Sequence, residues 1–291
     1  MIKNRYDIAI ILTCFNRKKM TLRCMKELSE QADNHLITFY VCDDNSTDGT
    51  YEAIVEDFPD AHIIKSNGNL YWCKGMFKAM EIATKEKHDL YLMINDDVDF
   101  RKDALQIMIN SYNKFNNEHR GIVGAVSSKR TGEITYGGRK IIPFKICHKC
   151  FGVKSNVLIK SLDNPPIECD LTNWNCFLVD QYVIDNIGII DNHYAHSVGD
   201  FDYSLRMRKI GIKINVAEET VGTCERNEKK GTYCDSTVPV YKRFKLLFAP
   251  KGLPFATYYR FAIKHNGLIG IPIMTWRYMK FFILILLKKD L

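Results

Sequence analysis

Continuous apolar runs that break into polar turns, each followed by a helical period, organise the first 115 residues. Asp7–Leu12 (Asp-Ile-Ala-Ile-Ile-Leu) has the pattern of a strand buried on both faces. It breaks at Thr13-Cys14-Phe15-Asn16-Arg17, and apolar positions then recur with helical spacing at Leu22, Met25 and Leu28. The alternation repeats three times. Thr38–Cys42 reads as a strand before the turn Asp43–Thr50 and a helix to about Phe58. His62–Ser66 precedes Asn67-Gly68-Asn69 and a helix from about Tyr71 to Lys85. Leu90–Ile94 ends abruptly in Asn95, Asp96, Asp97 and Asp99, before a helix from about Lys102 to Phe115. This order predicts an α/β fold, a mostly parallel sheet flanked by helices.

From Gly121 the pattern loosens. Gly121–Ser127 reads as a strand, and residues 140–170 as a loop-rich stretch with Pro143, Pro165 and Pro166. Leu171–Val179 predicts another strand and Asp180–Ile187 a short helix. A further helix around Tyr203–Lys209 stops at Gly211, a C-cap signal, and Ile212–Val216 predicts a last strand.

The chemistry concentrates at strand ends. Carboxylates packed as tightly as Asp96, Asp97 and Asp99 repel one another, and oxygen-only ligands suit Mg²⁺ or Mn²⁺ shared with substrate phosphates. The competing use of such a turn is to cap the next helix, through Asp99 or Asp103. No Gly-x-Gly-x-x-Gly follows the first strand and no Gly-x-x-x-x-Gly-Lys-Ser/Thr occurs, which removes the dinucleotide and P-loop readings.

Charge sharpens the division of the chain. Residues 242–291 carry ten Lys or Arg against one acid, Asp290, and so hold more than the whole formal surplus of +7. The basicity belongs to the tail, which argues against a nucleic-acid-binding body and for a tail meeting an anionic surface. Met1–Arg5 leads straight into a strand, so no signal peptide is expected and the ten cysteines are expected reduced, in the cytoplasm. Cys147-His148-Lys149-Cys150 has metal-ligand spacing, with Cys169 and Cys176 as conceivable partners, but no second close pair follows.

Five motifs in order, Thr13–Arg17, Asp43–Thr50, Asn67–Gly75, Asn95–Val98 and Gly199–Arg206, resemble the family-2 glycosyltransferases, in particular bacterial rhamnosyltransferase-like enzymes. The resemblance spans residues 7 to about 225 and implies a GT-A fold and inverting sugar transfer. It divides the chain into a nucleotide-sugar-binding half (1–120), an acceptor-binding half (121–228) and a basic, aromatic helical tail (229–291). By this resemblance Thr13, Phe15 and Arg17 line the base and ribose pocket, and Asp44 or Asp43 accepts from the base. Asn69, Trp72 and Lys74 face the donor, with Trp72 as packing and Lys74 as surface the competing roles. Asn95-Asp96-Asp97 matches the family's Asp-x-Asp with Asn in the first slot. Asp97 is then the metal ligand, for Mn²⁺ or Mg²⁺, and Asp96 lies nearer ribose and sugar.

The family's Glu-Asp pair corresponds to Gly199-Asp200, so Asp200 is the expected general base, and the Glu is absent. Asp202 matches an acidic position that either touches acceptor or supports the helix start. Trp174, Asn175 and His196 are expected at the acceptor site, with a core Trp the alternative to a sugar-stacking one. No His stands in Val221–Asn227, where relatives often carry one near the metal.

Leu268–Leu287 is long and apolar, but Pro272, Arg277 and Lys280 make a full span costly. Trp276, Tyr278, Lys288 and Lys289 suit a helix lying in the headgroup region. The expectation is therefore a hexosyltransferase on the cytoplasmic face of the inner membrane. It would take a UDP- or dTDP-sugar to a saccharide or lipid-linked acceptor in bacterial surface-polysaccharide synthesis. A helix packed on the domain or in a homodimer is the competing use of 268–291. The competing functions are a sugar-nucleotide nucleotidyltransferase and a catalytically degenerate sugar-nucleotide-binding protein.

Overall fold

A computed structural model describes residues 5–115, 118–142 and 156–291. The first half runs β1 (Asp7–Cys14), α1 (Lys18–Ser29), β2 (Leu36–Asp43), α2 (Thr50–Asp57), β3 (His62–Lys65), α3 (Tyr71–Ala83), β4 (Leu90–Ile94), β5 (Asp99–Phe100) and α4 (Ala104–Asn113). There follow β6 (Arg120–Ser127), β7 (Ile134–Tyr136), β8 (Gly138–Ile141), β9 (Asn156–Leu158), β10 (Ile167–Cys169), β11 (Leu171–Thr172), β12 (Cys176–Asp180), α5 (Gln181–Ile187), α6 (Gly199–Lys209) and β13 (Lys213–Thr223). Helices α7 (Val240–Phe248), α8 (Phe255–Asn266) and α9 (Gly270–Leu286) close the chain.

The main sheet has the spatial order β10-β13-β6-β12-β4-β1-β2-β3. Strands β4, β1, β2 and β3 are parallel, so their carboxyl ends share one edge. A second parallel pair, β6 and β13, is joined to them through antiparallel β12. The apolar run of β1 has the reason expected of it. Ile8, Ile10 and Leu12 enter one core with Met25 and Leu28 of α1, while Ala9 and Ile11 enter the opposite core with Met76 and Met80 of α3.

Three boundaries differ from the sequence pattern. Leu171–Val179 is two strands, because Asn173 N–H turns to Gly137 O and the Asn175 carbonyl accepts from Asn95. The last strand continues past Val216 to Thr223, through register shifts that disrupt its alternation. Asp99 does not begin a helix: Asp99-Phe100 pairs with Thr223 and Gly222, and a Cβ at Gly222 would collide with the Asp99 carbonyl. The Cys147–Cys150 motif lies outside the described residues.

Helices α7 to α9 have their own small core of Leu247, Leu253, Ala262, Met274, Tyr278 and Ile285. The helical run Phe255–Leu286 (32 residues) is long and apolar enough to cross a membrane by length and composition. It is nevertheless folded back. Gly267, at φ +63°, ends α8, and Tyr259 of α8 stacks on Tyr278 of α9 with centroids 5.8 Å apart. Leu268, Ile269, Trp276, Met279, Ile283 and Leu286 remain exposed along this hairpin. Ion pairs dock it to the main domain: Lys264 Nζ and His265 Nε2 lie 2.7 Å and 2.8 Å from Asp202 Oδ1, and Lys264 also reaches Asp191.

Candidate active site

The shared carboxyl edge of β1, β2 and β4 opens into a cavity of about 300 Å³. Thr13, Phe15 and Arg17 enter it from the end of β1, Asp44 from the end of β2, and Asp96 from the end of β4; Asn69 comes from the loop before α3, and Tyr71 and Trp72 from its first turn. Open α/β sheets bind ligands at this edge. The approach is close: a Cβ at Gly75 of α3 would collide with the Thr13 side chain.

Each acidic residue has a distinct environment. Asp43 is fully buried and accepts from both Ser46 N and Ser46 Oγ, the bonds of a turn rather than of a ligand. Asp44 faces the cavity, but its oxygens already accept from Ser66 Oγ (2.7 Å), Leu70 N (3.0 Å) and Tyr71 N (3.0 Å). It therefore shapes the loop that carries Asn69 and Trp72. Asp48 accepts from Lys18 N and Thr50 N, joining the two flanking helices.

At the end of β4, Arg17 Nη1 bridges Asp96 Oδ1 (2.9 Å) and Asp97 Oδ2 (3.0 Å). Burial pushes the Asp96 carboxyl up to about 6 against the opposing pull of Arg17. Asn95 Oδ1 accepts from the Trp72 indole at 2.7 Å, which fixes that ring as a wall of the cavity. Cys224 Sγ, in the stretch without a His, lies 3.8 Å from Asp97 Oδ1.

The residues around Asp97 decide what cation they fit. Among the described residues no three His, Cys, Asp or Glu side chains converge as a metal cage. The Cys224 thiol, pushed up to about 12 by burial and by Asp97, is a soft donor. Asp97 Oδ1, which Arg17 does not engage, is a hard oxygen at the rim. That set fits a divalent cation whose remaining ligands are phosphate and water, the usual arrangement for Mg²⁺ and Mn²⁺.

A second segment meets the cavity from the far side. Cys73 N donates to Ala195 O at 2.9 Å, docking residues 195–197 on the start of α3 and placing His196 in the lining. Burial, then Lys251 and Arg17, pull the His196 imidazole down to about 4. Val198 follows at φ +64°, an unusual conformation for a β-branched residue, and leads directly into α6. Asp200 sits in the first turn of that helix, held by Phe201 N (2.9 Å) and Asn173 Nδ2 (3.4 Å). Burial raises its carboxyl to about 6 despite these bonds.

Two acceptor expectations are corrected. Trp174 is 1 % exposed, packed among Trp72, Phe177 and Tyr203, and takes its core alternative. Asp202 is fully buried between Arg206, Lys264, His265 and Tyr194, so it anchors α6 to α8. Asn175 is also buried, with its amide on Cys224 Sγ, and His196 lines the same cavity as Thr13, Phe15 and Arg17. Lys74 is half-buried outside the cavity lining. The sequence reading missed Tyr71 and Lys251, which complete that lining. No motif marks Lys251, because it comes from the tail beyond α7.

The model of glycosyl transferase family 2 matches residues 9–166, more than half of the chain. The chain belongs to that family. Its fold is the GT-A fold implied by the motifs. A mannosyltransferase from Pyrobaculum calidifontis, PcManGT, solved with GDP-Man and Mn²⁺, is similar with a TM-score of 0.54 and 14% identity; the match covers 98% of this chain and 87% of that one. TarS 1–349 of S. aureus is similar with a TM-score of 0.54 and 13% identity, over 96% of this chain and 80% of that one. No curated protein matched the chain. The family match ends before Asp200 and the tail, so the roles of those segments rest on their own geometry.

Proposed function

We propose that this glycosyltransferase moves a hexose with inversion from a UDP- or dTDP-sugar to a saccharide or lipid-linked acceptor, in bacterial surface-polysaccharide synthesis. One juxtaposition carries the reading. The acidic end of β4 and the loop that leads to Asp200 meet across one cavity, and the Asp200 carboxyl is raised to about 6. A general base is most effective when its pKa lies near the working pH. Asp200 takes the proton of the acceptor hydroxyl as that oxygen bonds to the sugar's anomeric carbon. The bond from that carbon to the diphosphate breaks, and its electron pair leaves with the phosphate oxygen. Thr13, Phe15 and Trp72 orient the nucleoside end, and the Arg17 guanidinium faces the phosphates.

Asp97 is the residue that would hold a divalent cation. When bound, the cation supplies Lewis-acid neutralisation of the leaving diphosphate. The exposed apolar hairpin α8–α9, with the basic surplus of the tail, supports a peripheral position on the cytoplasmic face of the membrane.

Release of nucleoside diphosphate from UDP- and dTDP-sugars, with and without Mn²⁺, tests the reading. A nucleotidyltransferase would release pyrophosphate instead, and a degenerate binding protein would release nothing. Retention of anomeric configuration in the product would overturn the inverting assignment.

A further inference from the structure

Lys251 reaches the donor cavity from a part of the chain that the family match does not include. Its placement is built rather than incidental. Ala249-Pro250-Lys251-Gly252 is a tight turn, closed by Gly252 N donating to Ala249 O at 2.7 Å. A Cβ at Gly252 would collide with the carbonyls of Leu246 and Leu247, so the turn is pressed onto the end of α7. The buried hydroxyl of Tyr278 donates to Leu253 O at 2.8 Å and ties the same turn to α9. Two tail helices, α7 and α9, thus fix the backbone after one lysine, while its side chain stays exposed at the cavity mouth.

The surroundings of Lys251 indicate what it would bind. Arg17 and His196 line the same cavity, and the buried His196 Nδ1 has no hydrogen-bond partner among the described residues. Arg17 is occupied by Asp96 and Asp97. No carboxylate is paired with Lys251 among the ion pairs of the described residues, and its exposed ammonium lines the cavity close enough to His196 for its charge to disfavour the protonated imidazole. A cation in that position suits an anion brought in by the ligand.

Resting on the proposed donor chemistry, we propose that Lys251 is a donor-binding residue that holds the diphosphate of the nucleotide sugar. The same contact strengthens as the bond to the anomeric carbon breaks. The electron pair then moves onto the phosphate oxygen, the acceptor proton goes to Asp200, and the leaving nucleoside diphosphate carries more charge than the donor did. The tail is therefore part of the catalytic unit and not only its attachment.

Calorimetric titration of the full chain with UDP, dTDP, uridine and thymidine tests this, with melting temperatures confirming that each variant folds. Lys251→Ala is expected to weaken the preferred diphosphate by about tenfold, the scale of one charge-assisted hydrogen bond. It should leave the matching nucleoside unchanged and flatten the salt dependence of diphosphate binding. Lys251→Arg should recover most of the affinity. Equal diphosphate affinity in Lys251→Ala and the wild-type chain overturns the inference while the proposed function stands. Failure of the wild-type chain to bind any of the four overturns both.

Discussion

The indole nitrogen of Trp72 donates to the side-chain oxygen of Asn95 at 2.7 Å, so the first slot of the acidic strand end fixes an aromatic wall of the cavity. Asn95→Asp keeps an acceptor for the indole and adds a hard oxygen beside Asp97. It is expected to tighten Mn²⁺ binding in the presence of nucleoside diphosphate by about tenfold. Asn95→Ala should instead leave the indole unpaired and weaken nucleotide binding. Mn²⁺ titration monitored by electron paramagnetic resonance checks the first, and nucleotide calorimetry the second.

Asp200 is held above the ordinary carboxylate range, and this has two opposite consequences. As the proposed base it must be ionised, so kcat/KM should fall as pH drops through about 6. For stability the sign reverses. A carboxyl whose folded pKa is raised favours folding most when protonated, so this contribution is lost as pH rises from about 4 through 6. Asp200→Asn should therefore abolish transfer while stabilising the chain at pH 8 by roughly 1–2 kcal/mol. Nucleotide binding should be intact. A lower melting temperature for Asp200→Asn at pH 8 would contradict the burial argument.

Asp202 lies two residues on and has the opposite balance. Burial alone would raise its carboxyl, but His265, Lys264 and Arg206 together hold it below the ordinary range. The stability it contributes is present above about pH 4 and lost as pH falls further. Asp202→Ala removes the carboxylate shared by Arg206, Lys264 and His265, leaving Lys264 with Asp191 and Arg206 with backbone carbonyls. Urea denaturation should show a loss on the order of 2–4 kcal/mol, reduced from the fully buried case because Lys264 is partly exposed.

The exposed face of the hairpin gives a third kind of outcome. Trp276→Ala with Ile283→Glu removes two large apolar groups that are exposed on the hairpin and lie outside the buried residues of the tail's core. Flotation with anionic vesicles should drop severalfold, with the melting temperature unchanged within about 1 kcal/mol of stability. Unchanged flotation, together with a shift from dimer to monomer in solution, would assign the face to a second copy.

The α/β architecture was legible because β1 and β4 are buried on both faces, which leaves a continuous apolar run that periodicity detects. Much of the cavity lining was legible for a similar reason: Thr13, Arg17, Asp44 and Asp96 lie at or just past the ends of such runs. Trp174 was ambiguous because an indole beside Asn reads the same whether it faces sugar or core, and only packing against Tyr203 and Phe177 decides. Strand β13 was cut short since Glu218 and Glu219 sit where its register shifts. Lys251 was invisible for a deeper reason. Its position depends on contacts of α7 and α9 distant in sequence, and no local pattern encodes them.

The guanidinium of Arg17 between Asp96 and Asp97 offsets one of the two negative charges at the end of β4. A divalent cation arriving alone meets an Asp97 carboxylate that Arg17 already partners through its other oxygen. One arriving with a diphosphate offers Arg17 another anion to face, so the exchange costs much less. Cation and donor then raise each other's affinity by the same factor, as linkage requires. Arg17 would thus link occupancy of a cation at Asp97 to occupancy of the sugar nucleotide.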